Sequence, residues 1–599
     1  MSDPTYIIGI DLGTTNSVVA YTEAEIEKGK TPDIRVLEIP QLVEAGTMEK
    51  RDVLPSFILV PGKHDVPEES LRLPWDENNK IAVGEFAKER GAEIPTHLIS
   101  SSKSWLCHTL VDRNKPILPW EGPEDQMKMS PVEASSVMLK HIRDAWNYTI
   151  AHKDESLRIE KQDILLTVPA SFDAVARDLV VKSAEMAGLS NITLLEEPQA
   201  AFYAWIESTG DKWRKIINKN DLVLVCDVGG GTSDFTLISV TEEEGELVLD
   251  RTAVGSHLLI GGDNMDLALA YTVFKRMFKK GKRLDAWQMR GLWHSCRKAK
   301  ESLLADPEMK EYPVTILGGG RSLIGGTKKA KLSRQEIEEV ILEGFFPNCT
   351  AKTKPVAEKK VGIKEIGLSY EADPAITHHL ASFLGRQGKM KIPTAILFNG
   401  GVMKSEPVRQ QVMSVISSWR KTGKKVAVRE IETKDFDLTV AKGAAYYGLA
   451  RRGKGVRIRG GLNRTYYIGV AASLPAVPGM PVPIKALCVA PFGMEEGTDE
   501  KLSDQEFVLV VGEPVKFDFL GSPLRLQDPV GTIIDDWEED IEGITTMETT
   551  LDGDPGSVIP VFLEVKATEI GTLELWCVSR ENSEQRWKLE FNVREKDSE

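Results

Sequence analysis

The sequence predicts an α/β fold up to about residue 450 followed by an all-β C-terminal domain, on three observations. Short β-branched runs alternate with amphipathic stretches through residues 1–450, which is the pattern of mixed or parallel sheets covered by helices. A basic, glycine-rich stretch at 451–461, RRGKGVRIRGG, then breaks the pattern, and beyond it apolar residues recur at every second position. At roughly 150 residues per domain, the 599 residues suffice for about four domain-sized units, so a single small fold is excluded. The 41% of hydrophobic residues supply several cores, which excludes wholesale disorder.

Taken in order, the apolar run Ile7, Ile8, Gly9, Ile10 reads as a strand ending in Asp-Leu-Gly-Thr-Thr. Ser130, Pro131 and Glu133 supply an N-cap, a first-turn proline and a capping glutamate; Met138, Ile142, Ala145 and Trp146 follow at helical spacing. Residues 222–226 form a second strand ending in Asp-Val-Gly-Gly-Gly-Thr. Lys275, Arg276, Lys279, Lys280, Lys282 and Arg283 interleave with Val273, Phe274, Met277 and Phe278, and read as the solvated side of a core helix rather than a nucleic-acid surface. Ser333 and Glu336 repeat the capping box before Ile337, Val340 and Ile341. Residues 451–461 read as a solvated connector, placing a domain boundary after 450. Past it, Val515, Phe517 and Phe519, then Trp587, Leu589, Phe591 and Val593, alternate as half-buried strands. Leu563, Val565 and Ala567 lead through Glu569-Ile570-Gly571 to Leu573, Leu575 and Cys577, which reads as a hairpin. The acidic stretch 535–542 reads as a solvated loop.

Charge and cysteine usage narrow the function classes. Ninety Asp and Glu against 75 Lys and Arg give −15, which opposes nonspecific binding to nucleic acid or an anionic membrane. Six cysteines without a C-x-x-C pair indicate neither a zinc ribbon nor a disulfide framework, and fit a reducing compartment. The start lacks a basic segment and a long apolar run, so no export signal is expected. The uncharged run 465–484 is broken by Pro475, Pro478, Pro481 and Pro483, so no membrane helix is expected there. The expected location is cytoplasmic. Of nine histidines only His378 and His379 are adjacent, and they read as core or surface residues rather than metal ligands.

The chemistry lies in the two strand-ending turns, Asp11-Leu12-Gly13-Thr14-Thr15 and Asp227-Val228-Gly229-Gly230-Gly231-Thr232. Each delivers a carboxylate and then glycines and threonines, whose N–H and hydroxyl groups can converge on a phosphate that a Cβ would hold away. Either turn alone reads more simply as a tight β-turn; the two together suggest a duplicated grip on one triphosphate. Carboxylates would repel that anion, so Asp11 and Asp227 imply a divalent cation between them, magnesium held largely through water. The ordinary P-loop does not match: residues 24–31 end in Gly-Lys-Thr but begin with Ala24, and 448–455 lack the final hydroxyl.

IGIDLGTTNS (8–17), LTVPASFDAVARD (166–178), EEPQAA (196–201), CDVGGGTSDFT (226–236) and FNGGVMKSEPVR (398–409) together resemble the seventy-kilodalton heat-shock chaperone family of the DnaK type. The resemblance covers about residues 1–450 and implies that family's actin-like two-lobed ATPase domain, with lobe I at 1–205 plus 395–450 and lobe II at 206–394. It implies ATP or ADP as ligand, magnesium, and potassium as a further ion. It places Gly13, Thr14, Thr15 and Asn16 in a first phosphate loop and Gly229, Gly230, Gly231, Thr232 and Asp234 in a second. Lys103 matches the lysine beside the terminal phosphate, Glu197 the acid that with Asp227 orients the attacking water, and Pro169 and Arg177 a relay to the interdomain surface; Glu196 is the alternative to Glu197. Gly261, Gly262, Lys300, Gly400, Gly401 and Asp437 match the adenosine side and lobe II glycine turns.

The chain departs from the family pattern at Arg297, where an acid is usual, at Leu304 and Val402, where serines are usual, and at Lys404, where an arginine stacks on adenine. The connector carries Arg451, Arg452, Lys454, Arg457 and Arg459 instead of a hydrophobic, acid-ended linker, and 348–391 is an additional stretch. Neither a helical lid nor the acidic C-terminal tetrapeptide is expected, since the sequence ends in strand pattern and Lys-Asp-Ser-Glu. The resemblance implies an ATP-hydrolysing chaperone whose nucleotide state modulates binding of unfolded or extended polypeptide by the β domain, with a cochaperone or exchange factor as further partner. The alternatives are a nucleotide-switched scaffold with negligible turnover that binds a folded partner, and an actin-fold sugar kinase.

Overall fold

The computed structural model describes residues 3–592 except 27–31, 68, 109–110, 121, 124–125, 171, 173, 244–245, 256–257, 279–283, 307, 317–327, 357–370, 387–391, 421–427, 455, 457, 460–461, 463, 474–481, 496, 523, 526, 539 and 569–571. Lys279, Lys280, Lys282 and Arg283, part of the connector, Pro475, Pro478 and Pro481, much of 348–391, the 569–571 turn, Val593 and the final Lys-Asp-Ser-Glu lie outside the described residues. Two compact units divide the chain, Met1–Arg457 and Ile458–Glu599.

In the first unit, β1 (Tyr6–Leu12) and β2 (Asn16–Glu23) form an antiparallel hairpin around the first glycine-threonine turn. Helix α1 (Glu85–Glu93) and the single-turn α2 (Ser102–Trp105) follow. Helix α3 (Pro131–Trp146) starts at the capping box seen in the sequence: Glu133 N–H donates to Ser130 Oγ at 3.1 Å and Ser130 N–H to Glu133 Oε2 at 2.6 Å. Its Met138, Ile142, Ala145 and Trp146 are buried. Strand β3 (Asp163–Val168) pairs in parallel with β1, helix α4 (Ala174–Met186) crosses over, and β4 (Ile192–Glu196) pairs in parallel with β3. Helix α5 (Glu197–Thr209) leaves directly from the end of β4. The sheet order is β4-β3-β1-β2, extended by the short strand Arg35–Val36.

A second sheet repeats this plan. Strands β5 (Leu222–Val228), β6 (Ser233–Glu243) and β7 (Glu246–Val254) are antiparallel neighbours, with β5–β6 enclosing the second glycine turn. Helices α6 (Gly262–Met277) and α7 (Ala286–Ala305) pack beneath them, and β8 (Ala395–Asn399) and β9 (Arg429–Ile431) complete the order β9-β8-β5-β6-β7. Leu224, Cys226 and Val228 of β5 share one core with Met265, Leu269, Leu292, Cys296, Ile396 and Phe398.

That arrangement corrects the lobe boundary expected at 395. Strands β8 and β9 belong to lobe II, because β5 pairs β6 on one side only and its other edge, buried in the core, needs a partner for its N–H and C=O groups. Among the described residues it is helix α8 (Thr439–Arg451) that returns to lobe I, where Ala441 and Ala445 pack on Val18 and Ala20. The connector's first residues are also not simply solvated. Arg451 and Arg452 reach Asp163 at 3.1 and 2.8 Å, and Lys454 reaches Glu25 at 2.9 Å and the Ala24 carbonyl at 2.9 Å, fastening this segment to lobe I.

The second unit is a β-sandwich of antiparallel strands. They are β10 (Thr465–Ala471), β11 (Ile484–Ala490), β12 (Thr498–Val511), β13 (Pro514–Ser522), β14 (Ile533–Ile534), β15 (Glu542–Thr550), β16 (Ser557–Ala567), β17 (Thr572–Ser579) and β18 (Arg586–Asn592). One sheet runs β14-β11-β10-β13-β15 and the other β12-β16-β17-β18. Their inner faces meet at Ile468, Val489, Phe519, Leu563, Val565, Leu575, Leu589 and Phe591, with the Phe519 and Phe591 rings stacked at 4.4 Å. Among the described residues no helix is long and apolar enough to cross a membrane, and all six cysteines are free thiols.

Candidate functional site

The repeated sheet plan brings the two glycine turns face to face at the cleft between the lobes. A Cβ on Gly230 would lie 2.1 Å from Thr15 Oγ1 and 3.4 Å from Thr15 Cβ of the opposite turn, so a side chain there would displace the Thr15 hydroxyl. Behind the second turn, Gly262 and Asp263 N–H groups donate to the Gly229 and Gly230 carbonyls at 3.0 and 2.8 Å, which ties the turn to the start of α6 just after Gly261. Ser56, which the sequence did not single out, braces the first turn: its hydroxyl donates to the Gly13 carbonyl at 2.7 Å and its N–H to the Thr15 carbonyl at 2.8 Å. Asn16 opens β2 immediately after the turn.

Asp11 and Asp227 stand at the ends of the matching strands β1 and β5, one from each lobe. Burial pushes the Asp11 carboxyl up to about 7, with the Glu197 carboxylate adding to the shift and Lys103 and the Thr167 hydroxyl opposing it. Burial also holds Asp227 well above the usual carboxylate range, helped by Glu197 and by Asp234, its cross-strand neighbour, and opposed by Asn399. Thr167 Oγ1 donates to Asp11 at 3.1 Å and Asn399 Nδ2 to Asp227 at 2.6 Å. Thr167 and Asn399 lie within the LTVPASFDAVARD and FNGGVMKSEPVR segments, but the sequence singles out neither of them. Gly400, beside Asn399, has φ +87°, and a Cβ there would meet the Val228 carbonyl at 2.3 Å.

Lys103 sits on the single turn α2, preceded by Ser101 in a left-handed conformation with φ 54°. This is an uncommon geometry for a serine and concentrates local strain beside the site. Lys103 is buried and ion-paired with Glu197. Burial alone would lower its pKa, but Glu197 and Asp11 outweigh that and raise it. The pairing separates Glu197 from Glu196: Glu197 opens α5 toward the cleft, whereas Glu196 lies buried against Arg251 at 3.1 Å and Arg177 at 3.9 Å. Thr232 is buried at the second turn, next to Ser233, whose hydroxyl donates to the Ile260 carbonyl at 2.7 Å.

Around Gly261 and Gly400, where the resemblance implies the adenosine side, the departures have physical partners. Arg297 is buried between Asp266, at 2.8 Å, and Asp263, and these carboxylates raise its pKa against the effect of burial. Lys300 reaches Asp266 at 2.8 Å and the Gly262 carbonyl at 3.1 Å. Ser101 Oγ donates across the lobes to Asp263 at 2.6 Å, and Lys298 meets Glu89 of α1 at 2.8 Å. Lys404 and Asp437 pair with one another at 2.6 Å, while Gly401 opens the short turn beyond Gly400.

The donor set fits a hydrated magnesium ion with phosphates. Two carboxylates from opposite strands are held in burial at raised pKa, a state that a nearby cation would relieve. Ser104 Oγ is buried without a partner among the described residues, facing Gly231, where a Cβ would lie 2.5 Å away. Among the described residues no cluster of three or more His, Cys, Asp or Glu side chains is arranged to grip a metal directly. A magnesium ion that keeps most of its waters and takes one or two carboxylates needs no such cluster.

Residues 75–367 match the family model described as Hsp70 protein. The chain is similar to chaperone protein HscA of Photorhabdus laumondii subsp. laumondii, 26% identical over 398 residues that cover 63% of this chain and 54% of that protein. It is also similar to an HscA homolog of Pseudoalteromonas atlantica, 27% identical over 374 residues covering 56% and 51%, and to one of Tolumonas auensis, 27% identical over 275 residues covering 44% and 36%. The chain thus spans about half the length of these curated relatives.

Proposed function

We propose, on the premise that this chain is a divergent member of the Hsp70 family with its actin-like ATPase fold, that it is a magnesium-dependent ATPase with chaperone function. In this reading its nucleotide state modulates the binding of extended polypeptide by the β-sandwich unit. The observation that carries the catalytic half is the placement of Asp11 and Asp227, buried at the ends of equivalent strands from two lobes, with the Lys103–Glu197 pair beside them.

Each side chain then has a definite task. Asp11 and Asp227 would hold a hydrated magnesium ion, with Thr167 and Asn399 fixing their rotamers. Glu197, at the first position of α5, orients an attacking water together with Asp227, and Lys103 supplies a buried positive charge beside them. The glycine and threonine turns offer N–H and hydroxyl donors, with Ser104 as one more. When bound, magnesium neutralises charge that develops on the phosphate oxygens during transfer. The β-sandwich unit supports a polypeptide-binding role, with an exchange factor or cochaperone as further partner.

The test is single-turnover hydrolysis of ATP by the full chain with magnesium, followed by peptide affinity in ATP and in ADP. Turnover that Glu197→Gln removes, with a several-fold difference in peptide affinity, supports the reading. Tight nucleotide binding without turnover, and equal peptide affinity in both states, would instead leave a nucleotide-switched scaffold.

A further inference from the structure

Glu196 is a fully buried, ionisable side chain held by Arg251 and Arg177, whereas its neighbour Glu197 pairs with Lys103. It ends β4, serves as the N-cap residue of α5, and immediately precedes Glu197. Two arginines close on it from different parts of the fold. Arg177 of α4 approaches at 3.9 Å and also donates to the Ala170 carbonyl at 3.3 Å, next to Pro169. Arg251 comes from β7 of the lobe II sheet, opposite Ile238 of β6, and its Nη1 lies 3.1 Å from Glu196 Oε2. Side-chain exposures are 1% for Glu196, 3% for Arg177 and 7% for Arg251.

Burying three charges is expensive, and a well-packed apolar trio of similar volume is commonly no less stable. What such a trio does provide is a fixed orientation. The two guanidinium groups repel each other, so the single carboxylate between them is drawn from both sides and its rotamer is fixed. Fixing Glu196 fixes the peptide that carries Glu197, and one of the two anchors belongs to the other lobe. We propose that Arg251 is a positioning residue for hydrolysis: through Glu196 it couples the placement of lobe II to the orientation of Glu197 in lobe I. The catalytic half of this inference rests on the ATPase reading above. The mechanical half, that Arg251 orders the β4–α5 junction, stands on the ion pairs alone.

The experiment compares the full chain with its Arg251→Met and Arg251→Lys variants. It uses hydrogen exchange of the 194–200 amides without nucleotide, single-turnover ATP hydrolysis, and nucleotide affinity by calorimetry. Arg251→Met is expected to speed exchange at 194–200 and to slow hydrolysis on the order of tenfold, within the range that an ångström-scale misplacement produces. Nucleotide affinity should change less than about threefold, because Arg251 does not belong to the glycine turns. Arg251→Lys, which keeps the charge but loses the planar fork, should restore part of both protection and rate. Should Arg251→Met fail to fold, the lysine variant decides alone, by intermediate exchange and rate. Wild-type exchange at 194–200 in the variants overturns the coupling, and altered exchange with unchanged hydrolysis overturns the positioning role. Absence of turnover in the wild-type chain overturns the ATPase reading and the catalytic half with it, leaving the exchange result to decide the mechanical half.

Discussion

Replacing Lys103 with methionine gives the site its sharpest perturbation. The ammonium is 4% exposed, paired with Glu197, and close enough to Asp11 that both carboxylates raise its pKa against burial. A unit charge pair at about 4 Å is worth roughly 4 kcal/mol at an effective dielectric of 20. Methionine preserves much of the apolar stem while Glu197 and Asp11 lose their shared cation and Asp227 remains beside them. Breaking a buried pair by removing one partner typically destabilises by about 3–5 kcal/mol. Catalysis should fall further than the affinity does, because the charge matters most where negative charge develops; a single such group is worth about 10²–10³ in rate. The assay is single-turnover hydrolysis beside calorimetric nucleotide affinity, with urea unfolding of Lys103→Met and of Lys103→Met/Glu197→Gln. Removing the orphaned carboxylate charge in the double variant should recover a good part of the lost stability but none of the rate. A Lys103→Met rate within about threefold of wild type, or a double variant no more stable than the single one, would refute the reasoning.

Other expectations follow from individual contacts. Gly230→Ala places a Cβ where the Thr15 hydroxyl stands and should weaken nucleotide affinity by up to about tenfold, by turning that donor away from the opposite turn; calorimetry with magnesium and ATP measures it. Lys404 is half-exposed and paired with Asp437, so Lys404→Ala should change stability by less than about 1 kcal/mol, whereas Lys404→Arg, which supplies a planar face for a purine to stack on, should tighten ATP binding in calorimetry. Burial holds His141 down to about 4 from its ordinary 6.5, with Nε2 on the Pro40 carbonyl at 3.0 Å. Between those pH values the unfolded chain binds the extra proton, so stability falls as pH drops through the window, by up to about 3 kcal/mol. Urea midpoints at pH 7 and 4.5 should differ less in His141→Gln than in wild type.

How far the sequence reaches depends on how local the physics is. The α3 capping box, the two glycine turns and the paired strands at 563–577 are written within a few residues of one another, and the fold forms them as read. Glu196 and Glu197 differ in their surroundings only through distant partners, Lys103 at 94 residues for Glu197 and Arg251 at 55 residues for Glu196. The sequence does not reveal the placement of 395–399, because its parallel partner β5 lies about 170 residues earlier and nothing near Phe398 announces which sheet it joins. Asn399, Thr167 and Ser56 escaped notice for the same reason: each acts on an atom far along the chain. Arg297 looked like a misplaced charge in an acid's position; the structure answers it with Asp263 and Asp266, one helix away. The basic start of the connector read as solvated because Asp163 and Glu25, its counter-charges, are hundreds of residues distant.

The most direct measurement is calorimetric titration of ATP into the full chain with magnesium and again with EDTA, repeated with Asp227→Asn. If opposed glycine turns and two buried carboxylates form a metal–triphosphate site, heat of binding appears with magnesium and collapses both in EDTA and in the variant. No heat in any condition, or equal affinity with and without magnesium, contradicts the account.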